Sequence, residues 1–172
     1  MGSAVEAAIR TGLAPRLPWT QSLPEEAGLV GEDARVPKVK VNGLRLYYEA
    51  AGDGEPVLFI SGLGGDHTGW VSQVAEFSKH YRCITYDNRD AGQSDKASGN
   101  YAIRDMAQDA EGLLDALGIP SAHIVGNSMG GAIAQELAIN SSDRTRSLTL
   151  VCTYTKGDPR GTSLMNSWKL MK

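Results

Sequence analysis

The sequence is poor in the residues and runs that mark several common protein classes. Two cysteines in 172 residues are too few for a disulfide framework. Cys83 and Cys152 each fall in an apolar run that reads as a buried strand, where a free thiol packs as a small apolar group. No apolar run approaches the roughly 20 residues that span a bilayer, and Glu6 and Arg10 interrupt the N-terminus where a secretory signal needs an apolar stretch. Met1-Gly2-Ser3 opens like a myristoylation site, but Glu6 stands where Ser or Thr is required. Blocks of like charge are absent too. The 17 basic and 20 acidic residues are interspersed and give a net charge of −3, so nothing draws the chain to nucleic acid or an anionic membrane. A cytoplasmic protein acting on a small molecule or binding a partner is the expectation that remains.

What is present is ordinary globular usage, 41% hydrophobic and 22% charged, enough for one core. Residues 1 to about 35 hold four prolines or glycines between Gly12 and Pro24, the acidic pairs Glu25-Glu26 and Glu32-Asp33, and no sustained period, which predicts an irregular extension. From Val39 the pattern changes. Val39 and Val41, then Leu44, Leu46 and Tyr48, alternate with polar residues across Asn42-Gly43, the dipeptide favoured in two-residue hairpin turns. Val57-Leu58-Phe59-Ile60 is a short continuous apolar run, the signature of a strand buried on both faces.

A helical pattern around Trp70, Val74 and Phe77 leads into a second such run, Cys83-Ile84-Thr85-Tyr86. Residues Ile103, Met106, Ala107, Ala110, Leu113, Leu114 and Leu117 recur at three-and-four spacing before the stop signal Gly118 and Pro120, which predicts an amphipathic helix. A strand at Ala122-His123-Ile124-Val125, a helix through Ala132, Ile133, Leu137 and Ala138, and a strand at Leu148 to Cys152 complete the pattern. This alternation predicts an α/β fold: a mostly parallel sheet, right-handed crossovers and helices on both faces. The core is expected over residues 36–154.

Gly126-Asn127-Ser128-Met129-Gly130 is the motif with chemistry in it. With 20 glycines in the chain a Gly-x-Ser-x-Gly run alone is a weak signal; its context strengthens it. Gly126 closes a predicted strand and Met129 opens a predicted helix, so Ser128 falls on a sharp turn that projects its hydroxyl from the sheet's C-terminal edge. The spacing differs from the Gly-x-Gly-x-x-Gly of a dinucleotide loop. Upstream, the strand ending at Ile60 runs into Ser61-Gly62-Leu63-Gly64-Gly65-Asp66, where glycines let backbone N–H groups approach a substrate oxygen. The amides of Leu63 and Met129 are the expected oxyanion donors. The alternative at each motif is a glycine-rich turn without catalytic work.

Three motifs in order, Ser61 to Gly65, Tyr86-Asp87-Asn88-Arg89-Asp90-Ala91-Gly92-Gln93-Ser94-Asp95, and Gly126 to Gly131, resemble those of the α/β hydrolases of the esterase, lactonase and carbon–carbon hydrolase type. The likeness covers about Val39 to Thr153. It implies an eight-stranded, mostly parallel sheet, no cofactor or metal, and a serine nucleophile acting on a small ester, lactone or related carbonyl substrate. It also implies a pocket lined by Gly62, Gly64, His67 and Asn127. Two positions depart from the family pattern. Ser61-Gly62 stands where His-Gly is usual, and Asp87-Asn88-Arg89-Asp90 where Asp-x-Arg-Gly is common; the second is read as a structural loop.

A serine hydroxyl needs a positioned base, and the family order is Ser, then Asp or Glu, then His. His67, His80 and His123 all precede Ser128. His67 is read as a pocket-lining or solvated loop histidine; His80, at a helix end, and His123, at the start of a strand, are read as surface or structural residues. Asp158, in an ordinary Asp-Pro turn, is a weak candidate acid. The expectation is a chain truncated after about the sixth strand, with residues 155–172 beginning a lid and the strand at Leu148 left as an uncovered edge. A non-catalytic binding protein on the same scaffold is the competing reading.

Overall fold

The computed structural model describes residues 37–155. The N-terminal extension expected over 1–35 lies outside them, as do residues 156–172 of the expected lid segment and Asp158. Six strands form one sheet: β1 (Lys38–Val41), β2 (Leu44–Ala51), β3 (Glu55–Ile60), β4 (Tyr81–Tyr86), β5 (Ala122–Asn127) and β6 (Thr145–Val151), in the order β1-β2-β4-β3-β5-β6. The helices are α1 (Val71–Phe77), α2 (Ile103–Ala116) and α3 (Met129–Asn140), with short 3-10 turns at His67–Trp70 and Ser142–Arg144.

β1 and β2 form the hairpin that the alternation predicts, and Asn42 and Gly43 take φ of 49° and 84°. Positive φ at both central residues is what a two-residue turn needs to match the twist of its strands. β2 runs antiparallel to β4, while β4, β3, β5 and β6 are parallel neighbours.

Alternation along the central strands divides the core into two layers, because successive side chains point to opposite faces. Leu58 and Ile60 of β3, Ile84 and Tyr86 of β4 and Ile124 of β5 pack against the apolar stripe of α2 and against Ile133, Ala134 and Leu137 of α3. On the other face Val57, Phe59 and Cys83 pack with Trp70 and Val74. Helices therefore cover both faces, as expected for a doubly covered parallel sheet. The Asp105 carboxylate accepts the Ala102 N–H at 2.7 Å and fixes the start of α2. At the other end Gly118, with φ of 66°, turns the chain out of the helix.

One expectation of burial needs correction. Cys152 is exposed, whereas Cys83 is buried. β6 is the outer strand among the described residues, so an apolar run that reads as buried on both faces leaves Leu148, Leu150 and Val151 about 40% exposed. His80 sits beyond the end of α1, in the turn leading to β4, and is exposed. No helix among the described residues is long and apolar enough to cross a membrane.

Candidate active site

The C-terminal ends of the parallel strands put the sequence motifs on one edge of the sheet. Ile60 pairs with Gly126 and Phe59 with Thr85. Ser61, Asp87 and the Asn127-Ser128 step therefore follow three adjacent strands at nearly the same level.

Ser128 occupies the turn between β5 and α3 with φ 55° and ψ −119°, a region that a residue with a Cβ enters at a cost of about 1–3 kcal/mol. The neighbourhood enforces it. Ser128 N–H donates to Val151 O at 2.9 Å, while Ser128 O accepts from the Thr153 hydroxyl at 2.6 Å and from Gly131 N–H at 3.0 Å. Two close approaches explain the flanking glycines. A Cβ on Gly126 would lie 2.4 Å from Gly130 O, and one on Gly130 would lie 2.1 Å from Ile60 O. Both neighbours are backbone, so any side chain there would displace the strand or the helix.

Gly62 is the other half of the site. A Cβ built on it would come 3.1 Å from Ser128 Cβ and 3.2 Å from Asn127 O. The structure thus brings Gly62, Asn127 and Ser128 together across two strands. Met129 is the first residue of α3 and Leu63 lies at the exposed tip of the glycine loop. Among the described residues neither the Leu63 nor the Met129 N–H donates to a protein acceptor. The first N–H groups of a helix lack internal partners and favour negative charge. Gly64 adopts φ 74° and shapes the loop.

His67 is not a solvated loop histidine. Its side chain is 12% exposed. The ring Nδ1 and the backbone N–H both lie 2.8 Å from Asp87 Oδ1, Nε2 is 3.5 Å from Glu49 Oε1, and the ring packs on Tyr47 at a centroid distance of 4.6 Å. Burial and the Glu49 carboxylate hold the Tyr47 phenol well above its ordinary range, so it donates to Glu49 rather than ionising. Asp66, His67 and Asp87 offer ligand atoms within 4.8 Å of one another. Asp87 is fully buried, however, and spends Oδ1 on the two His67 groups and Oδ2 on the Gln93 N–H at 2.7 Å. Hydrogen bonds already close that cluster, and we assign it no metal.

Four residues gain roles that their local sequence did not reveal. Ser61 and Trp70 pair through hydroxyl and indole, Asn88 donates to Ser61 O at 3.0 Å, and Thr153 clamps Ser128. Arg89 reaches back to Asp109 on α2 through Nε at 2.7 Å and Nη2 at 2.8 Å, which ties the loop after β4 to the helical layer. His123 bonds Ser147 and approaches Glu55 at the opposite, N-terminal end of the strands. A shallow groove lined by Arg104, Gln108, Glu111, Glu136 and Asn140 lies at the far end of α3.

Fold and site together define an α/β protein whose convergent polar features sit at the C-terminal edge of a parallel sheet, where such proteins place their ligands. Comparison with known proteins agrees. The chain belongs to the alpha/beta hydrolase fold family, whose model matches residues 55–170. It is 38% identical over 113 residues to a protein of Azorhizobium caulinodans named "Putative carbamate hydrolase RutD"; the match covers 66% of this chain and 43% of that protein. Among solved structures it resembles the enol-lactonase from Burkholderia xenovorans LB400, at TM-score 0.70 and 32% identity, covering 78% of this chain and 58% of that one. A thermophilic esterase from Thermogutta terrifontis superposes at TM-score 0.68 and 32% identity, covering 75% and 48%. The chain spans less than half the length of the curated relatives it matches.

Proposed function

We propose that this chain carries the serine portion of a hydrolase acting on a small ester, lactone or carbamate. The observation that carries the reading is the backbone of Ser128: a non-glycine residue held at φ 55° by surrounding hydrogen bonds, on a strand-to-helix turn beside a loop amide that has no acceptor among the described residues. Strain maintained by so many contacts, at the point where a hydroxyl emerges, fits a nucleophile better than a simple turn. The similar proteins are named as a putative carbamate hydrolase, an enol-lactonase and an esterase, and carbamates, lactones and esters all present a carbonyl with a heteroatom leaving group.

In this mechanism Ser128 Oγ forms a bond to the carbonyl carbon and the carbonyl π pair moves onto oxygen. The Leu63 and Met129 amides donate to that oxyanion. The intermediate then collapses with departure of the leaving oxygen or nitrogen, which takes the proton removed from the serine. Water then attacks the acyl carbon, and the bond to Ser128 Oγ breaks as the serine oxygen takes up the proton that water gives up. Gly62, Gly64 and Asn127 shape the walls around the acyl group. The base and its acid are proposed to come from sequence beyond the part that matches, since no histidine follows Ser128 and the relatives are more than twice the matched length. The substrate is a small cytoplasmic molecule.

Labelling with a fluorophosphonate, applied to this chain and to one extended at its C-terminus, tests the assignment. Labelling abolished by Ser128→Ala is expected in both, faster in the extended form; turnover of simple esters is expected only there. Labelling that survives Ser128→Ala would overturn it. If the extended chain is instead stabilised by ligands without labelling or turnover, the binding-protein reading replaces it.

A further inference from the structure

The glycine loop that presents the Leu63 amide is closed by a single buried hydroxyl. Ser61 is 5% exposed. Its Oγ accepts the Trp70 indole N–H at 2.8 Å and donates to Asp66 O at 2.9 Å. The first and last residues of the Ser61 to Asp66 segment are thereby tied to each other, and Gly65 N–H to Gly62 O at 3.2 Å braces the interior. Trp70 is itself anchored, 7% exposed and packed on Phe59 at a centroid distance of 5.1 Å. The Ser61 carbonyl is held from the other side by Asn88 Nδ2.

We infer that Ser61 is a positioning residue: its hydroxyl, clamped between the Trp70 indole and the Asp66 carbonyl, fixes the glycine loop so that the Leu63 amide meets the oxyanion formed at Ser128. A loop of Gly62-Leu63-Gly64-Gly65 has little to hold it otherwise. Three glycines carry no side chains to pack, and their backbone freedom is the largest of any residue. Leu63 points into solvent, 45% exposed. An oxyanion donor must lie about 3 Å from the developing charge to act, so a loop that wanders by an ångström loses most of its effect. This inference rests on the assignment of Ser128 and the Leu63 amide made above, and the test separates the two.

The full chain is reacted with a fluorophosphonate under mildly alkaline conditions, where solvent base takes the serine proton, the Oγ–P bond forms and fluoride leaves. The dependence on probe concentration yields a binding constant and a maximal rate constant; the plateau yields the folded, competent fraction. Ser61→Ala is expected to lower the maximal rate constant by roughly 10- to 100-fold, less than outright loss of an oxyanion donor, with the binding constant nearly unchanged. Trp70→Phe, which keeps the ring and removes the N–H, is expected to slow labelling in the same direction. The double variant is expected to be no slower than Ser61→Ala, because the two groups act through one clamp. Ser61→Thr, which retains the hydroxyl, should recover most of the rate.

A purely structural role would lower the plateau and leave the rate constant of the surviving fraction alone, and that outcome overturns the inference. So does a Ser128-dependent rate that Ser61→Ala leaves untouched. If Ser61→Ala fails to fold, Trp70→Phe decides alone, and an unchanged rate overturns the inference. Labelling that does not depend on Ser128 overturns the function proposed above instead.

Discussion

Replacing Ser128 by glycine should make the protein more stable while removing its labelling. Ser128 is held at φ 55° and ψ −119°, and a residue with a Cβ pays about 1–3 kcal/mol to sit in such a region. Glycine enters it freely, at the cost of roughly 0.5–1 kcal/mol of extra chain entropy in the unfolded state. The Ser128 hydroxyl makes no hydrogen bond to protein among the described residues, so no bond is lost with it. The balance is a gain of about 1 kcal/mol, which in a chain of this size raises Tm by about 2–4 °C. Ser128→Ala is the control. It removes the same oxygen but keeps the Cβ and hence the strain, and its Tm should stay within about 1 °C of the parent. Thermal unfolding followed by circular dichroism, with fluorophosphonate labelling in parallel, gives both readouts. If Ser128→Gly is no more stable than Ser128→Ala, the turn is not strained and the principal argument for a nucleophile at this position is lost.

Three further outcomes follow from contacts on the page. Gly130→Ala would put a methyl 2.1 Å from Ile60 O and 2.7 Å from Ser61 O; urea unfolding should show a loss at or above the upper end of the about 1–3 kcal/mol typical of overpacking. Arg89→Met leaves the Asp109 carboxylate, 2% exposed, without its charged partner and with only the Asn42 amide at 3.1 Å, and should cost about 3–5 kcal/mol by the same measurement, with Asp109→Asn on top of it recovering part of the loss. Thiol titration at mildly alkaline pH should find Cys152 reacting at once and Cys83 only in denaturant. Burial pushes the Cys83 thiol up to about 11, so it stays protonated below that pH, whereas Cys152 is exposed.

The strands and helices were legible because each has a period of its own. Val57 to Ile60 and Cys83 to Tyr86 are apolar on both faces and lie in the middle of the sheet, and the three-and-four stripe from Ile103 to Leu117 became α2 with its buried face intact. The same logic misread Cys152. A continuous apolar run signals two covered faces, but coverage depends on the neighbouring elements, and β6 has a strand on one side only among the described residues. Gly126 to Gly130 were legible as a motif. Their support was not, because it comes from afar: Thr153 lies 25 residues beyond Ser128, and Asn88 lies 27 beyond Ser61. His67 read as a loop histidine for the same reason, since Asp87, which buries it, is 20 residues away.

The order of the strands also fixes what His67 can do. Asp87 follows β4 and Ser128 follows β5, with β3 between them. Neighbouring strands stand about 4.8 Å apart, so the two positions are separated by roughly 10 Å across the sheet. The His67–Asp87 pair has the composition of a general base with its orienting acid, yet Nδ1 is committed to Asp87 and Nε2 faces Glu49. A proton on Ser128 needs an acceptor within about 3 Å. The intervening strand is instead followed by Ser61, which receives Asn88 from the side of Asp87, and by Gly62, which lies against Ser128. The bonds of His67 to Asp87 hold the residue that follows the glycine loop, while Asn88, next to Asp87, holds the Ser61 carbonyl at the start of that loop. On the function proposed above, the base for Ser128 is therefore a group other than His67, and the backbone of the serine is held from the other flank by Val151 and Thr153.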